Sequence, residues 1–143
     1  MSARLMTPAV LSFPTLSRRF VLILLALAAL AAAGCRSNPI QDAGPSPIPP
    51  KATQQQVEEA IVRAGAGLGW AMKPQGPGLV IGTLALRDHL AIVEIPHNSR
   101  SFSIRYKDSR NLDFNAAAHT IHKNYNSWVQ NLNRAILAQL SML

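Results

Sequence analysis

The stretch Ser101-Phe102-Ser103-Ile104-Arg105-Tyr106-Lys107 alternates polar and apolar side chains without a break. In extended backbone, successive side chains point to opposite faces. Phe102, Ile104 and Tyr106 therefore face a core, while Ser103, Arg105 and Lys107 face water. A half-buried strand of this kind belongs to an antiparallel sheet with one covered face. Moving back along the chain, His97-Asn98-Ser99-Arg100 reads as a turn, and His89 to Pro96 as another strand. His89, Ala91, Val93 and Ile95 share one of its faces, with Leu90, Ile92 and Glu94 on the other. Leu79 to Leu86 is a third strand, joined to the second by Arg87-Asp88, a two-residue connection that lacks the usual Gly. Trp70 to Lys73 is a short extended piece closed by Pro74-Gln75-Gly76-Pro77-Gly78, which must turn.

Helices flank the meander on both sides. Thr53, with Gln56 three residues on, forms a capping box ahead of Val57, Ala60, Ile61, Ala64 and Leu68, whose spacing stripes one helix face. Gly65, Gly67 and Gly69 end that helix near residue 66. After a polar, irregular stretch from Asp108 to Thr120, a second helix begins between His122 and Asn124. Its stripe is Tyr125, Trp128, Val129, Leu132, Ile136 and Leu140. The sheet's apolar face needs cover and two amphipathic helices supply it. The expected fold is an α+β two-layer sandwich: helix, antiparallel meander of three or four strands, helix, in one domain over residues 52–143.

The N-terminal part reads differently. Arg4, Arg18 and Arg19 precede an uncharged run from Phe20 to Ala33. Fourteen helical residues cover roughly 21 Å, short of the roughly 30 Å hydrocarbon core, so a removable signal segment is expected over residues 1–34. The run ends Ala32-Ala33-Gly34-Cys35, which resembles a lipobox, with Ala32 where such motifs usually carry Leu. Cys35 is the chain's only cysteine, so a disulfide has no partner. A lipid-modified Cys35 is expected, attached to the membrane through thioether-linked diacylglycerol and an amide-linked fatty acid. Ser17-Arg18-Arg19-Phe20 also resembles a twin-arginine signal, but the aromatic falls one position early, and the general secretion route is favoured. Arg36 replaces the Asp that often retains such proteins at the inner membrane. The expected location is thus the bacterial cell envelope, at the outer membrane and facing the periplasm. From Arg36 to Lys51 five of sixteen residues are Pro. At about 3.1 Å per residue in polyproline II this segment could span roughly 50 Å, so residues 35–51 are expected to be a stand-off tether.

Three of the 14 Lys and Arg lie in the first 34 residues and none of the 7 acids does, so the processed chain carries +4 where the whole carries +7. A moderately basic envelope domain suits anionic headgroups or wall polymer. Nucleic acid is not an expected partner, because the expected compartment is wrong for it and the sequence has no basic cluster. Phe102-Ser103-Ile104-Arg105-Tyr106-Lys107-Asp108-Ser109-Arg110-Asn111-Leu112 and Ile121-His122-Lys123-Asn124-Tyr125-Asn126-Ser127-Trp128-Val129-Gln130-Asn131-Leu132 together resemble a family of small uncharacterised proteobacterial lipoproteins. That family carries a YSIxYxxSxNL strand and loop followed by an IHxxYNxWxxxL helix. Gly69-Trp70 and the Arg87–His89 turn match as well, and Phe102 stands where Tyr is common. The resemblance implies an envelope address and one compact domain, and brings no activity with it.

The densest polar and aromatic set is Tyr106, Ser109, Asn111, His122, Asn124, Tyr125 and Trp128. In one reading Tyr125 and Trp128 are core, and the polar groups satisfy buried backbone. In the other the set lines a shallow binding pocket between the last helix and the loop before it, suited to a cell-wall glycan or a peptide. His119-x-x-His122 would offer a metal two imidazoles only from one helical turn, and it lacks a third ligand. Neither metal nor cofactor is expected. Ser109 lacks a hydrolase elbow, and Asn111 between Asp108 and Asp113 points to turn chemistry. The leading expectation is a non-enzymatic binding or accessory module whose partner is an envelope protein or wall glycan. The alternative is a hydrolase-like envelope enzyme using the His122 region.

Overall fold

A computed structural model describes residues 37–143, so the signal segment, the lipobox and Cys35 lie outside the described residues. The elements run β1 (Ser37–Pro39), β2 (Ala43–Pro47), α1 (Gln54–Gly67), β3 (Ala71–Pro74), β4 (Leu79–Leu86), β5 (His89–Pro96), β6 (Ser101–Arg110), β7 (Thr120–His122) and α2 (Asn124–Leu140). The main sheet has five antiparallel strands in the order β2-β6-β5-β4-β3, and β1 and β7 form a separate two-stranded ladder. The helices cover the sheet, giving the two-layer α+β sandwich that the hydrophobic pattern specifies.

Each element follows from local chemistry. At the start of α1 the Gln56 amide donates to Thr53 Oγ1 at 3.2 Å, and the Thr53 amide donates to Gln56 Oε1 at 2.9 Å. The capping box thus satisfies two donors that an open helix end would leave orphaned. Strands β4 and β5 pair residue for residue from Leu79↔Pro96 to Leu86↔His89. Their connection has Arg87 at φ +55°, the left-handed conformation that Gly would adopt more easily. The Asn111 side chain donates to the Asp88 carbonyl at 2.7 Å and so braces the loop from outside. Between the layers lie Val57, Ile61 and Ala64 from α1, and Tyr125, Val129, Leu132, Ile136 and Leu140 from α2. They meet Val80, Val93, Ile95, Phe102 and Ile104 from the sheet, all buried. Burying one such aliphatic side chain contributes about 1.5–3 kcal/mol.

Two expectations are corrected. The first is the tether. From Ser37 onward the segment expected to stand the domain off its anchor is part of the fold. β2 pairs with β6 through Ala43↔Ile104, Ser46↔Phe102 and Pro47↔Ser101, and the Ile48 amide donates to the Arg100 carbonyl at 2.9 Å. Ala43 and Ile48 are buried. Proline is compatible with an edge strand, where the missing N–H faces outward, so a proline-rich composition does not exclude pairing there. The folded domain therefore begins well before residue 52, and the sheet has five strands because β2 covers the edge that β6 would otherwise expose.

The second is the stretch after Lys107. Strand β6 continues to Arg110, with a bulge that sets Val93 opposite Tyr106 but Ile92 opposite Asp108. Lys107 is the extra residue. Within the stretch expected to be irregular, Thr120–His122 forms β7 and pairs with β1 through Ser37↔His122, Asn38↔Ile121 and Pro39↔Thr120.

Candidate functional site

The seven residues singled out from sequence separate into two clusters joined by the start of α2. The first is built on the bulge. Tyr106 and Ser109 both reach the inner side of the sheet, and the Tyr106 hydroxyl and Ser109 Oγ are 3.0 Å apart. The Tyr106 ring stacks on Phe114 with centroids 4.7 Å apart and meets the edge of Tyr125 at 5.7 Å and 77°. The Tyr106 amide donates to Asp42 Oδ1 at 3.1 Å, which extends the β2 edge past its last ladder pair. Tyr125 is wholly buried, and its hydroxyl has no hydrogen-bond partner among the described residues. Burial pushes its phenol well above the ordinary value, with the charges of Asp42 and Tyr106 adding to the effect. A phenol that resists ionisation and is enclosed by apolar side chains is core rather than a reactive group.

The second cluster sits at the β4–β5 hairpin end. His122 stacks on His89 with ring centroids 5.8 Å apart and 24° between planes, and Trp128 lies 6.4 Å from His89. His89 Nδ1 hydrogen-bonds the Asn111 carbonyl, which can only accept, so the proton is on Nδ1. Asn111 itself sits at φ +56°, a conformation Asn tolerates better than most residues. The Asn124 amide donates to His122 Nδ1 at 3.3 Å, so His122 caps α2 from one residue outside its N-cap. The His122 amide donates to the Leu112 carbonyl at 2.8 Å, tying β7 to the loop after β6. Asn124 is exposed at the first turn of α2, and Trp128 is partly exposed.

These contacts place Tyr125 in the core and give Tyr106, Ser109, Asn111 and His122 structural bonds. Three surface grooves stand out among the described residues, and none is lined by a residue of the predicted set. One of about 380 Å³ lies along α2 beside the N-terminal segment, lined by Gln41, Asn126, Ser127, Gln130, Asn131 and Arg134. One of about 310 Å³ includes Pro45, Ser103 and Arg105, and one of about 270 Å³ lies between α1 and Pro74. His119 occupies a turn at φ +52° before β7, so His119 and His122 do not share a helical turn.

Sequence reasoning missed three participants. Phe114 and His89 complete the aromatic clusters, and only the folded arrangement brings them there. Asn126 is buried on α2, where its side chain grips the chain ahead of β2. The fourth histidine, His97, has a side chain with 0% exposure and lies 3.5 Å from Glu58 Oε2. That distance is an electrostatic contact rather than a good hydrogen bond. No protein-family model, curated protein or solved structure matches this chain.

Proposed function

We propose that this chain is a lipoprotein of the bacterial envelope, anchored through an acylated Cys35, whose domain serves as a non-enzymatic binding or accessory module. One observation carries the reading: a basic lead without acids, fourteen uncharged residues and Ala32-Ala33-Gly34 stand directly before the only cysteine in the chain. A single thiol with no disulfide partner is a poor fit to a secreted protein unless it is modified. More than one acyl chain on that residue makes a stable anchor, each buried methylene contributing about 0.8 kcal/mol. Arg36 favours the outer membrane, and the domain then faces the periplasm. Its partner would be an envelope protein or a wall glycan.

The non-enzymatic part of the proposal has its support in the bonding of the candidate residues. Ser109 is engaged by Tyr106, and His122 Nδ1 by the Asn124 amide. A nucleophile is activated by a base within hydrogen-bond reach, and the side chain that meets Ser109 Oγ is the Tyr106 hydroxyl rather than a base. Mass spectrometry of the N-terminal peptide of the processed protein tests the anchor. A diacylglyceryl and acyl adduct on Cys35 is the expected result, and an unmodified thiol in an exported chain overturns it. His122→Ala, assayed against envelope polymers alongside the parent, tests the second part. A turnover that the parent shows and the folded variant lacks would replace the module by an enzyme.

A further inference from the structure

The ladder between β1 and β7 fixes which end of the domain lies nearest its N-terminal attachment. Ser37 faces His122 across that ladder. Cys35 precedes Ser37 by two residues, which span at most about 7 Å. A lipid on Cys35 would thus hold the His122 edge close against the bilayer, not a tether's length away.

That edge has the chemistry of a membrane interface. The partly exposed indole of Trp128 stands beside the His89–His122 stack. Leu86, opposite His89 in the hairpin ladder, is 47% exposed. Exposed cations flank this edge along the chain: Arg87 in the hairpin loop and Lys123 just after β7, while Arg110, paired with Leu90, is on the opposite face of the sheet. Asp88, also exposed, shares the hairpin loop and sets one negative charge beside Arg87; the Asn111 bond goes to its backbone carbonyl. Trp prefers the headgroup level, where one part of the ring is apolar and the N–H is wet, and Lys and Arg favour anionic phosphate.

We infer that the Trp128–His122 end of the domain rests on the anionic phospholipid headgroup layer, with Trp128 at interfacial depth and Lys123 and Arg87 against the phosphates. The inference rests on the lipid-anchor reading and adds an orientation and a lipid class to it. The occupant is the bilayer that carries the anchor, because the chain enters the fold at this edge.

The test uses the full chain, exported and processed in a bacterial host, with acylation of Cys35 checked by mass spectrometry. The protein is reconstituted into vesicles of phosphatidylethanolamine and phosphatidylglycerol that carry a shallow nitroxide quencher. The difference in emission between the parent and Trp128→Phe reports Trp128 without disturbing the buried Trp70. Loss of most of the Trp128 emission is expected, and less loss in phosphatidylcholine vesicles. An acylated chain whose Trp128 keeps its emission overturns the orientation while the anchor stands. Equal quenching in both vesicle types overturns the anionic preference. An unmodified Cys35 removes the anchor reading and this inference with it.

Discussion

The Tyr106 hydroxyl and Ser109 Oγ lie 3.0 Å apart on the same face of β6. A regular strand forbids this, because residues three apart point to opposite faces. The bulge at Lys107 inserts one residue and returns Ser109 to the face of Tyr106. Tyr106→Phe and Ser109→Ala should each cost about 0.5–1.5 kcal/mol, and the double variant should cost less than their sum. Urea unfolding of the four proteins measures the coupling. Full additivity would mean that the bond contributes nothing. Deleting Lys107 should leave Asp108 opposite Ile92 and Ser109 opposite Ala91, since it removes the extra residue and restores regular alternation.

Asn126 clasps a segment far from it in sequence. Its Nδ2 donates to the Pro39 carbonyl at 2.8 Å, and its Oδ1 accepts from the Gln41 amide at 3.1 Å. Asn126→Ala should cost about 1–3 kcal/mol by stranding these backbone groups. The amides of β1 and Ile40 should lose hydrogen-exchange protection before those of β4 and β5. Uniform loss across the domain would show that the clasp has no local role. Removal of residues 36–51, harmless to a tethered domain, should here bare the β6 edge and lower stability sharply.

Gly44 and Gly69 separate two costs of replacing glycine. Both have positive φ, +95° and +81°. A Cβ at Gly69 meets nothing within 4 Å, whereas at Gly44 it would come 2.7 Å from the Phe102 carbonyl oxygen. Gly69→Ala should cost about 1–2 kcal/mol from the left-handed backbone alone. Gly44→Ala should cost more, because β2 must also retreat from β6. Thermal unfolding of the two variants gives the order, and the reverse order would contradict the tight approach of β2 to β6.

His97 gives the domain a pH dependence of known sign. Burial lowers its pKa from the ordinary 6.5, and the nearby Glu58 carboxylate opposes the shift without cancelling it. Below pH 6.5 the unfolded chain therefore takes up a proton that the folded chain refuses. This contribution to stability is constant above that pH and declines as pH falls through 6.5 toward the folded value. Urea midpoints measured from neutral pH downward should fall, and less steeply in His97→Gln. Glu58→Gln, which removes the opposing charge, should make the fall steeper. Identical slopes in the parent and His97→Gln would assign the acid sensitivity elsewhere.

Much of this architecture is legible in the chain because it rests on local rules. The alternation in Leu79–Leu86 and His89–Pro96 gives both strands to the residue, and the Thr53–Gln56 box gives the start of α1. Of the expected stripe on α2, five positions are buried and only Trp128 is partly exposed. The candidate site was less legible. Tyr106 and Tyr125 do meet, as do His122 and Trp128 through His89, and the three surface grooves are lined by other residues.

The sequence by itself determined where periodic burial makes helices and strands, since side-chain direction repeats within a few residues. Tertiary structure alone decided that Ser37–Pro39 and Ala43–Pro47 are strands, because segments of Pro, Gly and Ser carry no periodic signal. Their ladder partners lie 54 to 85 residues away on β6 and β7. Those pairings close long loops at an entropic cost and depend on β6, β7 and α2 for their partners, so no local pattern in the segment itself encodes them.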